Sequence, residues 1–231
     1  MLKLTAVLFM TMDHLAAGLF SVGLLEENLY IILRTLGRLA MPIFAYQIAY
    51  GFIKTSNYQK YLTRLTIMTI VAQVPFFLLM NNWRIGLDDL FHFNMYEGLF
   101  SYWNIGLTFM SALIILKLTS LEKNVFNYTL SFLAILIIII FSDVSDYGLY
   151  GILTVLVFYV AIKHSFNFNK MFFIFLILNI CFNELDIQTF SVFSVLLIKY
   201  IPHKRFKHDK WLFYIFYPTH MLIIYFITQL V

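Results

Sequence analysis

The chain has 231 residues, of which 61% are hydrophobic and 12% charged, with a formal net charge of +4. An ordinary soluble domain carries about 25% charged residues, so this composition excludes one and reads as an integral membrane protein. Residues 1–231 form a single all-α unit, a polytopic helical bundle. The single cysteine, Cys181, excludes an intramolecular disulfide and a thiolate metal cluster and is expected to be a packed core thiol.

The first apolar run, Leu2 to Leu25, has Lys3 at its start and Asp13 and His14 at its centre. It is too long for the hydrophobic part of a signal peptide, so we expect an uncleaved span. Leu29 to Ile53 follows, with Arg34 and Arg38 one turn apart and Pro42 placed to free a carbonyl one turn back. The third run, Leu62 to Met80, holds Gln73 and Pro75. The connection from Asn81 to Trp103 mixes acids with Trp83, Phe91, Phe93, Tyr96, Phe100 and Tyr102. That mixture suits an interfacial element in the outer leaflet, either an anchor or a cap over an outward-opening cavity. Runs from Ile105 to Leu118, Phe126 to Phe141, Tyr147 to Ile162, Met171 to Phe182, Ile187 to Ile201 and Trp211 to Leu230 bring the total to about nine transmembrane helices.

Charge in the breaks gives orientation, because cytoplasmic loops carry excess Lys and Arg. Lys3 is followed by Glu26 and Glu27, then by Lys54, Lys60 and Arg64. The alternation continues through Asp88/Asp89/Glu97, Lys117/Lys123, Asp143/Asp146, Lys163/Lys170 and Glu184/Asp186 to the block Lys199, Lys204, Arg205, Lys207, Lys210. An N-terminus in the cytoplasm fits every break. The basic excess is thus a topology signal that meets membrane lipid headgroups, and it requires no nucleic acid. The segment Pro202 to Lys210 is either a solvated, lipid-facing stretch or a holder for an anionic cofactor.

At about 1.5 Å of rise per residue, Asp13 and His14 lie roughly 16 Å from the start of the first helix, Arg38 about 14 Å and Arg34 about 8 Å into the second, and His220 about 14 Å into the last. An ionised side chain at mid-bilayer costs roughly 2.5–3.5 kcal/mol, and such residues are usually kept for chemistry or transport. Asp13 and His14 point about 100° apart, so Asp13 is expected to pair with Arg38 rather than orient His14. A buried ion pair that only fixes packing is one reading; a reaction site is the other, favoured by two histidines and two arginines at one level. In the turn from Asp143 to Gly148, Asp146 is either a helix cap or a contact for an acceptor amine. No Gly-rich phosphate loop, G-x-S-x-G, HExxH or CxxC is present.

Taken in order, Met12-Asp13-His14-Leu15, Gly37-Arg38-Leu39-Ala40-Met41-Pro42-Ile43-Phe44-Ala45, Tyr61-Leu62-Thr63-Arg64-Leu65, Gln73-Val74-Pro75-Phe76, Asn104 with Thr108, Asp146-Tyr147-Gly148 and Tyr217-Pro218-Thr219-His220 resemble the TraX family. The resemblance covers nearly the whole chain. It implies a bacterial inner-membrane acetyltransferase of the pilin-acetylating type, similar to the wider transmembrane acyltransferases, that uses cytoplasmic acetyl-CoA and no metal. By position, His14, Arg38 and His220 match the family's DH, GRxAxPIF and YPxH motifs. Met41 departs from the aromatic residue often found before the proline.

Acyl transfer needs a base for the acceptor and a cation for the developing oxyanion. Expected in catalysis are His14 as first choice of base, with His220, Arg38, and Asp13 holding Arg38. Lys204, Arg205 and Lys207 would hold acetyl-CoA. Arg34, Asp143, Asp146 and Tyr147 would meet the acceptor, an exported peptide N-terminus, a lipoprotein or a cell-surface glycan. A small proton-coupled transporter is the rival, since intramembrane Asp, His and Arg also form relays.

Overall fold

A computed structural model describes residues 1–81, 98–121, 124–202 and 209–230. Lys204, Arg205, Lys207, Lys123 and most of the aromatic connection before residue 98 lie outside the described residues. The described helices are α1 (Leu2–Ser21), α2 (Glu27–Gly37), α3 (Ala40–Lys54), α4 (Tyr58–Met80), α5 (Ile105–Leu118), α6 (Val125–Ile140), α7 (Gly148–Lys163), α8 (Phe168–Asn183), α9 (Ser194–Tyr200) and α10 (Asp209–Gln229). Two short 3₁₀ segments, Ser142–Val144 and Ile187–Phe193, precede α7 and α9. The described residues contain no strand, and only an isolated parallel bridge joins Trp103 to Ser145.

Among the described residues, three units are long and apolar enough to cross a membrane: α1, α2 with α3 counted through their break, and α4. Five shorter apolar helices and the 21-residue α10 pack with them. Ile67, Ile70, Val71 and Val74 are exposed on one side of α4, while Leu65, Met68, Ala72 and Phe76 are buried on the other. A helix apolar all round suits a protein surrounded by lipid. The interior instead relies on close approach: Ala6, Ala16, Ala45, Ala49, Ala72 and Ala112 are fully buried, as expected where the hydrophobic effect cannot drive helix association and packing must.

Asparagine sets the helix starts at the breaks. Asn57, Asn104, Asn124 and Asn167 each accept a bond from a first-turn backbone N–H of α4, α5, α6 and α8, satisfying a donor that the helix itself leaves open. Two of the expected spans differ in form. The second is broken at Arg38 and Leu39, because Pro42 has no N–H to return to the Arg38 carbonyl. The eighth is half 3₁₀, half α. Cys181, expected in the core, is exposed on α8, on the face an α-helix turns to lipid.

Helix α1 packs on both α2 and α3, α10 lies against α4 and α1, and α7 joins α3 to α5 and α8. This arrangement places the broken second span, the middle of α1 and the middle of α10 around one space.

Candidate functional site

Asp13 is the hub of that space. It is 8% exposed and receives Arg34 Nη1 on Oδ2 at 2.6 Å and Arg38 Nη2 beside Oδ1 at 3.3 Å. The expected pairing with Arg38 is therefore shared, and Arg34 is the closer partner. Gly37 permits the approach: a Cβ there would land on the Asp13 side chain. One carboxylate between two guanidiniums leaves a net positive charge, and Nε of both arginines is buried without a partner.

His14 turns away from this cluster and meets His220, Nδ1 to Nε2 at 2.7 Å. The other nitrogen of His220, Nδ1, lies 2.8 Å from the Phe216 carbonyl. A carbonyl only accepts, so His220 Nδ1 carries a proton. With His220 neutral, its Nε2 accepts, His14 Nδ1 donates, and His14 Nε2 is left as the basic atom. The Phe216 ring stacks on His220 at 5.0 Å and holds the imidazole in place.

The facing wall comes from two polar turns. Arg38 Nη1 donates to the Tyr147 hydroxyl at 3.0 Å and to Gln188 Oε1 at 3.4 Å. Tyr147 takes a left-handed backbone (φ 63°), a conformation that costs a bulky residue about 1–3 kcal/mol and here aims its hydroxyl at the guanidinium. The turn is pinned by Trp103 N–H to the Val144 carbonyl, Asp146 N–H to the Trp103 carbonyl, and the Thr108 hydroxyl to the Asp146 carbonyl. Behind it, Gln73 Nε2 donates to the carbonyls of Leu99 and Tyr102, and Asn104 Nδ2 donates to Gln73 Oε1 and to the Thr69 carbonyl.

A cavity of about 270 Å³ lies between these walls, lined at its polar level by Asp13, His14, Arg34, Arg38, Asp146 and Tyr147. Burial pushes the Asp146 carboxyl up to about 6 although Arg38 opposes the shift, and the Tyr102 hydroxyl, which bonds to that carboxyl, is pushed up to about 12 by burial and by Asp146. Asp146 does not cap α7: the cap position is Tyr147, with no side-chain bond. Asp143 is exposed and does not line the cavity, because the 3₁₀ turn directs it toward Gly148 instead.

Comparison with known proteins now has a site to attach to. The TraX protein family model matches residues 1–228. The chain is a member of the TraX family. A similar curated protein is the probable fimbrial assembly protein FimC, serogroup H1, of Dichelobacter nodosus, 28% identical over 250 residues that cover 96% of this chain and 92% of that protein. No solved structure matches.

In this TraX chain the structure brings together Asp13, His14, Arg34, Arg38, His220, Asp146 and Tyr147, which lie near opposite ends and in the middle of the sequence. Sequence reading missed Tyr102, Gln188 and the Phe216 carbonyl. Gln188 gave a signal, as an amide inside the eighth apolar run. Phe216 gave none, because its role belongs to the backbone.

Proposed function

We propose that this TraX-family protein is a membrane-embedded acetyltransferase that moves an acetyl group from cytoplasmic acetyl-CoA to an amine or hydroxyl of an exported acceptor, a peptide N-terminus first among them. The name of the FimC relative is consistent with a pilin-type acceptor. The observation that carries the reading is the ordered chain from His14 through His220 to the Phe216 carbonyl, set beside two arginines on one carboxylate.

The residues divide the work. His14 Nε2 takes the proton from the acceptor as its nitrogen or oxygen forms the new bond to the acyl carbon, and returns that proton to the departing thiolate. His220 fixes the His14 tautomer. Arg38, held by Asp13, Tyr147 and Gln188, presents its unpartnered Nε to the oxygen that gains charge; this orphaned buried donor suits an acyl oxygen. Asp146 meets an ammonium from the outer side. About nine spans with the amino terminus in the cytoplasm of a bacterial inner membrane place a donor at the lysine-rich end and an acceptor at the opposite one.

The test is thiol release from acetyl-CoA by the purified protein in liposomes, with mass spectrometry of exported peptides and surface glycans from cells with and without it. Acetyl-CoA-dependent thiol release and loss of one acetyl group per acceptor in the deletion strain are the expected results. Solute flux without thiol release would instead make it a carrier.

A further inference from the structure

Tyr217 of α10 is 2% exposed and lines the reaction cavity together with His14, Arg38, Asp146 and Tyr147. It lies one turn before His220, so the two side chains share a helix face, and their ring centroids are 5.9 Å apart. Phe213, one turn earlier still, stacks on Tyr217 at 5.9 Å and meets Phe44 of α3 at 4.7 Å. The phenol ring is thus held from both directions along its own helix, and Phe213 is braced by a second one.

Its hydroxyl has a proton to offer. The backbone N–H of Ile105, at the start of α5, donates to the Tyr217 oxygen; it is one of the donors that the first turn of a helix leaves open. An N–H cannot accept, so the phenolic proton is not used there. Asp146 and Tyr147 act on the hydroxyl through space rather than by a hydrogen bond. Tyr147 is the residue whose hydroxyl receives Arg38 Nη1, and His220 is the one bonded to His14. Tyr217 therefore neighbours both the group that holds the cation and the group that holds the base. Arg38 itself has little left to give: Nη1 serves Tyr147 and Gln188, Nη2 lies beside Asp13, and Nε remains. An acyl oxygen that gains charge is held best by more than one preorganised donor.

We infer that the Tyr217 hydroxyl is the second donor to the acyl oxygen, a catalytic residue beside Arg38. The inference rests on the acetyltransferase reading. As the acceptor's nitrogen or oxygen bonds to the acyl carbon, the carbonyl π pair moves onto the oxygen, where Tyr217 O–H and Arg38 Nε–H hold it. When that pair returns, the carbon–sulfur bond breaks, its electrons leave with the sulfur, and the proton held by His14 passes to the thiolate. Tyr217 keeps its own proton throughout.

Two measurements on the full chain in detergent test the assignment. Tyr217→Phe removes one oxygen and keeps the ring with its stacks. Its kcat for thiol release from acetyl-CoA is expected to fall about 10²- to 10³-fold, as on loss of one oxyanion donor, with KM nearly unchanged. The second measurement reads the hydrogen bond itself. The infrared carbonyl band of a bound ketone analogue of acetyl-CoA, with a methylene in place of the sulfur, is expected at higher wavenumber in Tyr217→Phe, because a carbonyl that loses a donor is less polarised. Replacing Tyr217 by 3-fluorotyrosine strengthens the donor and should move the band lower; it keeps the oxygen that accepts from Ile105, and so reads the role even if Tyr217→Phe does not fold. A wild-type kcat with an unshifted band leaves the hydroxyl as a partner for the Ile105 N–H alone and overturns the assignment, with the acetyltransferase reading standing. A raised KM with kcat kept makes it a ground-state contact and overturns it as well. Absence of both thiol release and analogue binding in the wild type overturns the underlying reading itself.

Discussion

Asp13 and His14 are chain neighbours with unrelated partners: the carboxylate faces two arginines, and the imidazole faces His220. Helical geometry requires this division, since adjacent side chains point about 100° apart. Substituting His14→Ala is therefore expected to lower turnover 10²- to 10⁴-fold, the usual worth of a general base, with membrane insertion kept. His220→Ala should cost less, about tenfold, because it removes only the group that fixes the tautomer; thiol release measured side by side tests the order. Asp146 adds a pH dependence. Its folded carboxyl titrates near 6 against an ordinary 3.8, so the folded state holds the proton more tightly. That contribution to stability is fully present below 3.8 and is lost as pH rises through about 6. Binding of an ammonium follows the opposite course. The KM for an amine acceptor is expected to climb about tenfold per pH unit below 6, and Asp146→Asn should flatten that limb.

At the scale of elements, the break between α2 and α3 is what turns Arg38 into a site residue. Pro42 frees the Arg38 carbonyl, the last turn tightens so that Leu39 N–H bonds to the Leu36 carbonyl, and the guanidinium leaves the helical path toward Asp13, Tyr147 and Gln188. Replacing Pro42 by Ala lets the helix run through. Thermal stability in detergent should hold or rise, while activity falls at least tenfold, since displacements of about 1 Å can cost 10²-fold in rate. Gly37→Ala acts differently. Its methyl group meets the Asp13 side chain, and overpacking of this kind costs about 1–3 kcal/mol, which a thermal melt of the variant would show along with lost activity.

For the whole molecule, the orientation rests on charge alternation and can be read directly. In a protein lacking Cys181, a membrane-impermeant thiol reagent should label cysteines introduced at Glu26, Asp143 and Glu184 in intact cells. Those at Ser56, Ser120 and Ser165 should react only after permeabilisation. The inverse pattern would reverse donor and acceptor sides. Sequence made much of this architecture legible, because hydropathy and the cost of unpaired backbone in lipid fix where helices run. The common depth of Asp13, Arg38, His14 and His220 was legible too, since depth follows from rise per residue. Azimuth was not: nothing along the chain showed that Arg34 would be nearer Asp13 than Arg38, or that Asp143 would face away while Asp146 faced in.

By itself, then, the sequence determined an all-helical membrane protein, the level at which its polar groups lie, and the TraX family to which it belongs. Tertiary structure alone decided which groups touch: His14 with His220, both arginines on one carboxylate, and Gln188 and Tyr147 on Arg38. The reason is physical. Hydrophobicity and helical rise are properties of single segments, whereas the facing of side chains depends on how the helices rotate and close against one another, and in lipid that is settled by packing and by the pairing of the few polar atoms present.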